Sequence, residues 1–139
     1  MERPELEPGA TATVSYLVRD NDAASTFTLD AADRFPRVFA TSRMVSVMEV
    51  AAARVMRPLL GDGELSVGIA IDVSHTAPTP VGGTVRATAT FLAREGKRYV
   101  FEVVAADDGG EIGRGRHARA VVVSERLEAA AGARKAGTR

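Results

Sequence analysis

The sequence predicts an α+β domain in which a curled antiparallel sheet wraps one long central helix. Three observations carry that prediction. Residues 41–60 (TSRMVSVMEVAAARVMRPLL) place apolar side chains at helical spacing over several turns. Four later stretches carry the β-branched, apolar-alternating pattern of strands. Short turns rich in Gly, Asp and Pro join those stretches, so consecutive strands are antiparallel neighbours. A sheet around a single helix leaves a face or an edge uncovered, and a second copy of the chain is the expected cover.

Taken in order, residues 1–10 (MERPELEPGA) are polar, contain Pro4, Pro8 and Gly9, and are expected to form a flexible lead-in. Residues 12–18 (ATVSYLV) have strand composition, RDNDAA is turn chemistry, and residues 25–29 (STFTL) suit a short extended piece. A connection holding Phe35, Pro36 and Phe39 then leads to the helix. Thr41 or Ser42 can cap its first turn through a hydroxyl. Met44, Val47, Met48, Ala51, Val55 and Leu59 share one broad face. Pro58 disfavours helix at Arg57, and Gly61-Asp62-Gly63 turns the chain, so the helix is expected to stop near Met56.

In residues 65–75 (LSVGIAIDVSH) the larger apolar side chains fall at every second position, and the same period carries His75 onto their face at the strand's end. Residues 84–94 alternate Val85, Ala87, Ala89 and Phe91 against Thr84, Arg86, Thr88 and Thr90. Glu95-Gly96-Lys97 turns into residues 98–106, where Tyr99, Phe101 and Val103 keep the period. A second turn at Asp107-Asp108-Gly109-Gly110 leads to residues 111–123. From Ser124 onward the chain is Ala, Gly, Arg and Glu, expected as a frayed helical turn and then a disordered tail.

Composition bounds the function. The 139 residues are 45% apolar and 26% charged, the balance of one soluble globular domain. Lys+Arg and Asp+Glu are equal at 18 each, so no overall field favours nucleic acid or membrane. Aromatic residues make up 5% with no Trp, which weakens any base-stacking surface. The absence of Cys excludes disulfides, thiolate metal sites and a cysteine nucleophile. No signal-peptide core and no membrane-length apolar run is present, so a single domain over residues 1–139, in the cytoplasm, with flexible tails at 1–10 and 125–139, is the expectation.

Several residues are candidates for chemistry. Glu49 is the only charged side chain between Met44 and Ala53. A carboxylate among apolar neighbours must be paired, protonated or employed, and an ion pair with an arginine such as Arg54 is the alternative to a chemical role. His75 ends an apolar-faced strand where it meets a loop, a common place for functional side chains and equally for a hydrogen-bonded histidine without chemical duty. Thr41 and Ser42 serve as caps, or as donors to a bound carbonyl beside backbone N–H groups that favour negative charge. Gly68, Gly113 and Gly115 interrupt strands, which marks bulges or close approaches. His117 and Arg119 share a strand face at a period of two, and Arg98, Arg114 and Arg116 add scattered cations. Two distant histidines without cysteine give no metal-ligand spacing, and the phosphate-cradling glycine motifs are absent.

Three stretches, FPRVFATSRMVSVMEVAAARVM, GIAIDVSHTAPTPVGGTV and DDGGEIGRGRHARAVV, together resemble the fluoroacetyl-CoA thioesterases of the hotdog-fold superfamily. The resemblance covers about residues 35–123. It implies a hotdog fold, a homodimer formed through the sheets, and metal-free hydrolysis of acyl-CoA thioesters with no cofactor. It also implies a catalytic set at Thr41, Glu49 and His75, with substrate contacts at Phe35, Gly68 and Arg119. Where the family pattern has a second lid phenylalanine this chain has Ala32, and where it has an aromatic after the glutamate it has Val50. The segment from Asn21 to Asp33 is also shorter and more polar than the family's lid.

The expected activity is therefore hydrolysis of a short-chain acyl-CoA, fluoroacetyl-CoA among the candidates, to free acid and coenzyme A. Glu49 would serve as base or nucleophile, His75 in proton transfer, and Thr41 in orientation. A non-catalytic acyl-CoA-binding module and a hotdog enoyl-CoA hydratase are the alternatives. No nucleic-acid or membrane partner is expected.

Overall fold

The computed structural model describes residues 3–137; residues 1–2 and 138–139, the outer ends of the two expected tails, lie outside the described residues. The chain runs β1 (Thr11–Leu17), two 3-10 turns (Asp20–Asp22 and Ala24–Thr26), α1 (Thr41–Met56), a third 3-10 turn (Arg57–Leu59), β2 (Glu64–His75), β3 (Thr84–Glu95), β4 (Arg98–Asp107), β5 (Gly110–Val123) and α2 (Ser124–Lys135). The five strands form one antiparallel sheet in the order β1-β3-β4-β5-β2. Helix α1 lies in its concave face, packed against β1, β2, β3 and β4.

Side-chain size explains how closely the helix sits. Met44, Val47, Met48, Ala51, Ala52, Val55 and Met56 are buried on α1. Facing them are Val85, Ala87 and Ala89 of β3 and Phe101, Val103 and Ala105 of β4. Alanines on both surfaces admit the helix, while the methionines and Phe101 fill the remaining space at the density of a protein interior. Gly113 of β5 belongs to the same arrangement: a Cβ there would lie 2.5 Å from Ser74 O and 2.7 Å from Met44 Sδ.

The expected helix, β3, β4 and β5 are all present, and α1 ends at Met56 before Pro58. Four details depart from the sequence reading. Residues 25–29 are not extended, because Thr26 turns back to Ala23 through its N–H and its hydroxyl. Thr41 and Ser42 do not cap α1; Ala40 is the N-cap and makes no side-chain bond. The lead-in does not hang free, since Arg3 pairs with Glu64 and the Gly9 N–H donates to Phe91 O at 2.9 Å. Residues after Ser124 form a regular helix, as their Ala, Glu, Arg and Leu content favours, although no residue of α2 is buried.

The fifth departure bears on function. The register of β2 against β5 shifts between Gly68 and Ala70, so Ile69 is the extra residue of a β-bulge. An inserted residue flips the alternation. Ser66 and Gly68 consequently face α1 on one side of the bulge, and Ile71, Val73 and His75 face it on the other. Leu65 and Val67, which the unbroken period would place with His75, turn to the opposite face. Strand β2 is also a sheet edge, with Leu65 54%, Ile69 46% and Ile71 41% exposed.

Candidate active site

Two clusters of polar side chains lie along α1. At its start, the Thr41 hydroxyl and His75 Nδ1 are 2.8 Å apart. Thr41 is held there by its backbone: the Ala40 N–H donates to Asp22 O, and Arg43 and Met44 N–H both return to Ala40 O. His75 is held by the turn that follows it. The Thr76 N–H donates to Ile112 O, the Phe39 N–H donates to Thr79 O, and the buried Thr79 hydroxyl donates to Asp107. His75 Nε2 is buried without a hydrogen-bond partner among the described residues. Burial lowers the pKa of this imidazole, partly opposed by the Ala77 backbone, so the neutral form is favoured. A cavity of about 370 Å³ opens beside the pair, walled by Pro36, Val38, Phe39 and Pro78.

The second cluster centres on Glu49, two turns further along. Arg119 Nη1 donates to Glu49 Oε2 at 3.1 Å, and the guanidinium is the buried member: its side chain is 7% exposed and that of Glu49 38%. Arg54, the partner suggested by sequence proximity, is excluded by helix geometry, since five residues rotate it about 140° away. The rest of the guanidinium is also tied down. Nε donates to Ser66 Oγ at 3.0 Å, Nη2 to Ser66 O at 2.9 Å, and Nη1 to His117 Nε2 at 3.0 Å. His117 Nδ1 lies 2.8 Å from Ala70 O, an atom that only accepts, so the proton sits on Nδ1 and Nε2 is the acceptor. Burial, together with the Arg119 charge, lowers the pKa of His117 against the opposing effects of Ala70 and Glu49, consistent with that neutral tautomer.

Gly68 completes this cluster. A Cβ at Gly68 would overlap Glu49 Oε2 and lie 3.0 Å from His117 Cε1. The strand glycine is therefore both the neighbour of a bulge and a place of close approach. Glu49, Val45, Gly68, Ile69, Ala70, Ile71 and His117 line a cavity of about 350 Å³ that opens at the β2 edge.

Of the residues singled out from sequence, the structure joins Thr41 with His75 and joins Glu49 with Arg119 and Gly68. It does not bring the two groups into one cavity within a single chain, because eight residues of helix separate Thr41 and Glu49 by roughly 12 Å. Phe35 is 53% exposed and lines neither cavity. Ser66 carried no sequence signal, because only the bulge turns it inward. His117 carried a partial one in its i,i+2 spacing from Arg119. Among the described residues no group of His, Asp and Glu could hold a metal ion.

A curled five-stranded sheet around one helix is the architecture of hotdog-fold thioesterases. A Thermus thermophilus member of the thioesterase superfamily matches it with a TM-score of 0.82 at 26% identity, over 94% of each chain. Within that class the chain belongs to the fluoroacetyl-CoA-specific thioesterase family, whose profile matches residues 18–125. It is 50% identical over 95 residues, 68% of each chain, to the fluoroacetyl-CoA thioesterase of Streptantibioticus cattleyicolor. The solved structure of the fluoroacetyl-CoA thioesterase FlK superposes with a TM-score of 0.85 at 40% identity, covering 92% of this chain and 96% of that one.

Proposed function

We propose that this protein hydrolyses a short-chain acyl-CoA, fluoroacetyl-CoA among the candidates, to the free acid and coenzyme A. The observation that carries the reading is the state of Glu49 in a chain of this family. One carboxylate oxygen is anchored by a buried arginine, and the other, Oε1, accepts no hydrogen bond from the described residues. Oε1 is thus available to take a proton from water as that water adds to the thioester carbonyl, or to attack the carbonyl itself. Collapse of the adduct breaks the C–S bond. His75, through its unpartnered Nε2, assists the proton transfer that lets the thiol leave. Thr41 and the N–H groups of the first turn of α1 orient the carbonyl and favour its developing negative charge.

The 12 Å gap between the two clusters is closed, in this reading, by a homodimer. Edge strand β2 exposes Leu65, Ile69 and Ile71, and both cavities border it. Antiparallel pairing of β2 with its two-fold mate about the Ile71–Asp72 region would bring the His75 end of one strand toward Gly68 in the other, beside the other copy's Glu49. Light scattering should give twice the chain mass, and Ile69→Lys should yield folded monomers without turnover. Monomers with full activity would defeat the dimeric site. Because acyl-CoA thioesters are made and consumed inside cells, the reading places the enzyme in the cytoplasm.

The deciding experiment is release of free thiol from acetyl-, fluoroacetyl-, propionyl- and longer acyl-CoAs. Glu49→Gln should lower turnover by about 100-fold or more while leaving thermal unfolding unchanged. Wild-type rates in that variant would sink the mechanism. Binding without thiol release would point instead to an acyl-CoA-binding module.

A further inference from the structure

We propose that His117 is a positioning residue for Glu49, acting through Arg119 to keep one carboxylate oxygen free. The inference rests on the reading of Glu49 as the reacting group and adds how that group is kept reactive.

An arginine beside a carboxylate ordinarily uses its planar fork, two parallel N–H donors on two oxygens. That geometry would occupy both oxygens of Glu49. In this site the fork is not used: Arg119 gives a single Nη1 hydrogen to Oε2. The second Nη1 hydrogen goes to His117 Nε2 at 3.0 Å, and Ser66 takes Nε and one hydrogen of Nη2. Four of the five guanidinium hydrogens are thereby engaged, and the plane of the group is fixed by three separate anchors. Arg119 is buried, so an unengaged Nη1 hydrogen would have no water to turn to. The carboxylate of Glu49 is already bonded to the same nitrogen and is the acceptor at hand.

His117 is suited to this task by its tautomer. The Ala70 carbonyl holds the proton on Nδ1 at 2.8 Å, which leaves Nε2 only able to accept. Ala70 sits immediately after the bulge at Ile69, so the strand irregularity that admits Glu49 against Gly68 also aims the carbonyl that orients the imidazole. A protonated His117 would present a hydrogen to Arg119 instead of a lone pair. Glu49 and His117 are the two titratable groups among the residues lining this cavity. Without the Nε2 acceptor, the guanidinium is expected to swing onto both Glu49 oxygens and withdraw Oε1 from the reaction.

Two substitutions separate the two ring nitrogens. His117→Asn keeps a donor for Ala70 O and loses the acceptor for Arg119. His117→Gln keeps an acceptor near the position of Nε2 and loses the donor. Thiol release should show kcat reduced at least tenfold in H117N with KM little changed, and kcat in H117Q within a few-fold of the wild type. A purely structural histidine would give the two variants the same kcat among folded molecules, measured beside their thermal unfolding. Equal kcat in H117N and H117Q, or wild-type kcat in both, overturns the proposal. Should H117N fail to fold, His117→Ala removes the same acceptor for Arg119 Nη1 and is read against H117Q in the same way. A lowered kcat at constant KM then supports the inference and an unchanged kcat overturns it. Glu49→Gln, assayed alongside, distinguishes the levels of failure: full activity there removes the reading of Glu49 itself, while an inactive E49Q with indistinguishable His117 variants removes only this inference.

Discussion

Helix α1 takes part in two carboxylate–arginine pairs, and they are built in opposite ways. In the first, Asp22 is the buried partner with a side chain 0% exposed, and Arg43 is 45% exposed. Asp22 is saturated: the Tyr16 hydroxyl lies 2.7 Å from both oxygens, the Arg19 N–H donates at 2.8 Å, and Arg43 Nε at 2.9 Å. In the second pair the burial is reversed. Arg119 is enclosed and gives four of its five hydrogens to acceptors, while Glu49 is partly exposed and keeps an oxygen that accepts no hydrogen bond from the described residues. A buried, fully bonded carboxylate is a structural rivet; a buried arginine held by several acceptors can act as a mount for a carboxylate that still has lone pairs to use. Under the proposed mechanism, which partner is enclosed separates fold maintenance from chemistry, although both are one acid beside one base.

Breaking the first pair should act on stability alone. Asp22 secures the start of α1 twice, by its carboxylate on Arg43 and by its carbonyl on the Ala40 N–H. Asp22→Ala leaves the Tyr16 hydroxyl and the Arg19 N–H without partners, while half-exposed Arg43 recovers water, and should lower unfolding free energy by about 3 kcal/mol. Urea unfolding measures this. Turnover per folded molecule should fall only as far as Thr41 shifts, the reverse of the pattern expected for Glu49→Gln.

How visible these pairs were in the sequence follows from the range of the interactions. The periods of α1, β3, β4 and β5 are local patterns, so those elements were legible, as was the isolation of Glu49. The partner of Glu49 was not, because Arg119 is 70 residues away in sequence and reaches it only through the β5–β2 register. Gly68 signalled the bulge or close approach beside it, but the flip in facing that the bulge imposes was hidden, because the residues around Ile69 are apolar and the pattern looks like unbroken alternation. Asp22 lies in RDNDAA, whose composition is that of any exposed turn; only the later packing of Tyr16 and Arg43 buries it. Thr41 resembled a cap because hydroxyls at helix starts usually are caps, and here His75 takes the hydroxyl instead.

A smaller perturbation sharpens the same contrast. Tyr16→Phe removes one donor from the Asp22 carboxylate and keeps the ring that packs 6.3 Å from Phe39. A hydrogen bond to a charged acceptor supports a loss of about 1.5 kcal/mol, less than for Asp22→Ala, because Arg43 and the Arg19 N–H still hold the carboxylate. Thermal unfolding should order the variants in that way. An equal loss in both would mean that the hydroxyl, and not the arginine, is the main anchor.

The dependence of stability on pH should resolve the two regions into separate windows. Burial pushes the Asp22 carboxyl up, but the bonds from Arg19, Tyr16 and Arg43 outweigh it and hold its pKa below the ordinary 3.8. Its contribution is present above about pH 3.8 and is lost as pH falls through the lowered folded value. His75 and His117 are held below the ordinary 6.5, chiefly by burial. Between their folded values and 6.5 the unfolded chain binds more protons than the fold, so stability rises with pH through that window and declines as pH drops below about 6.5. Urea unfolding across a pH series should therefore show two declines toward acid. His117→Gln should weaken the upper one and leave the lower, and Asp22→Ala should do the opposite. A single decline unaffected by His117→Gln would mean that this imidazole is not held neutral, and the acceptor at Nε2 on which Arg119 depends would go with it.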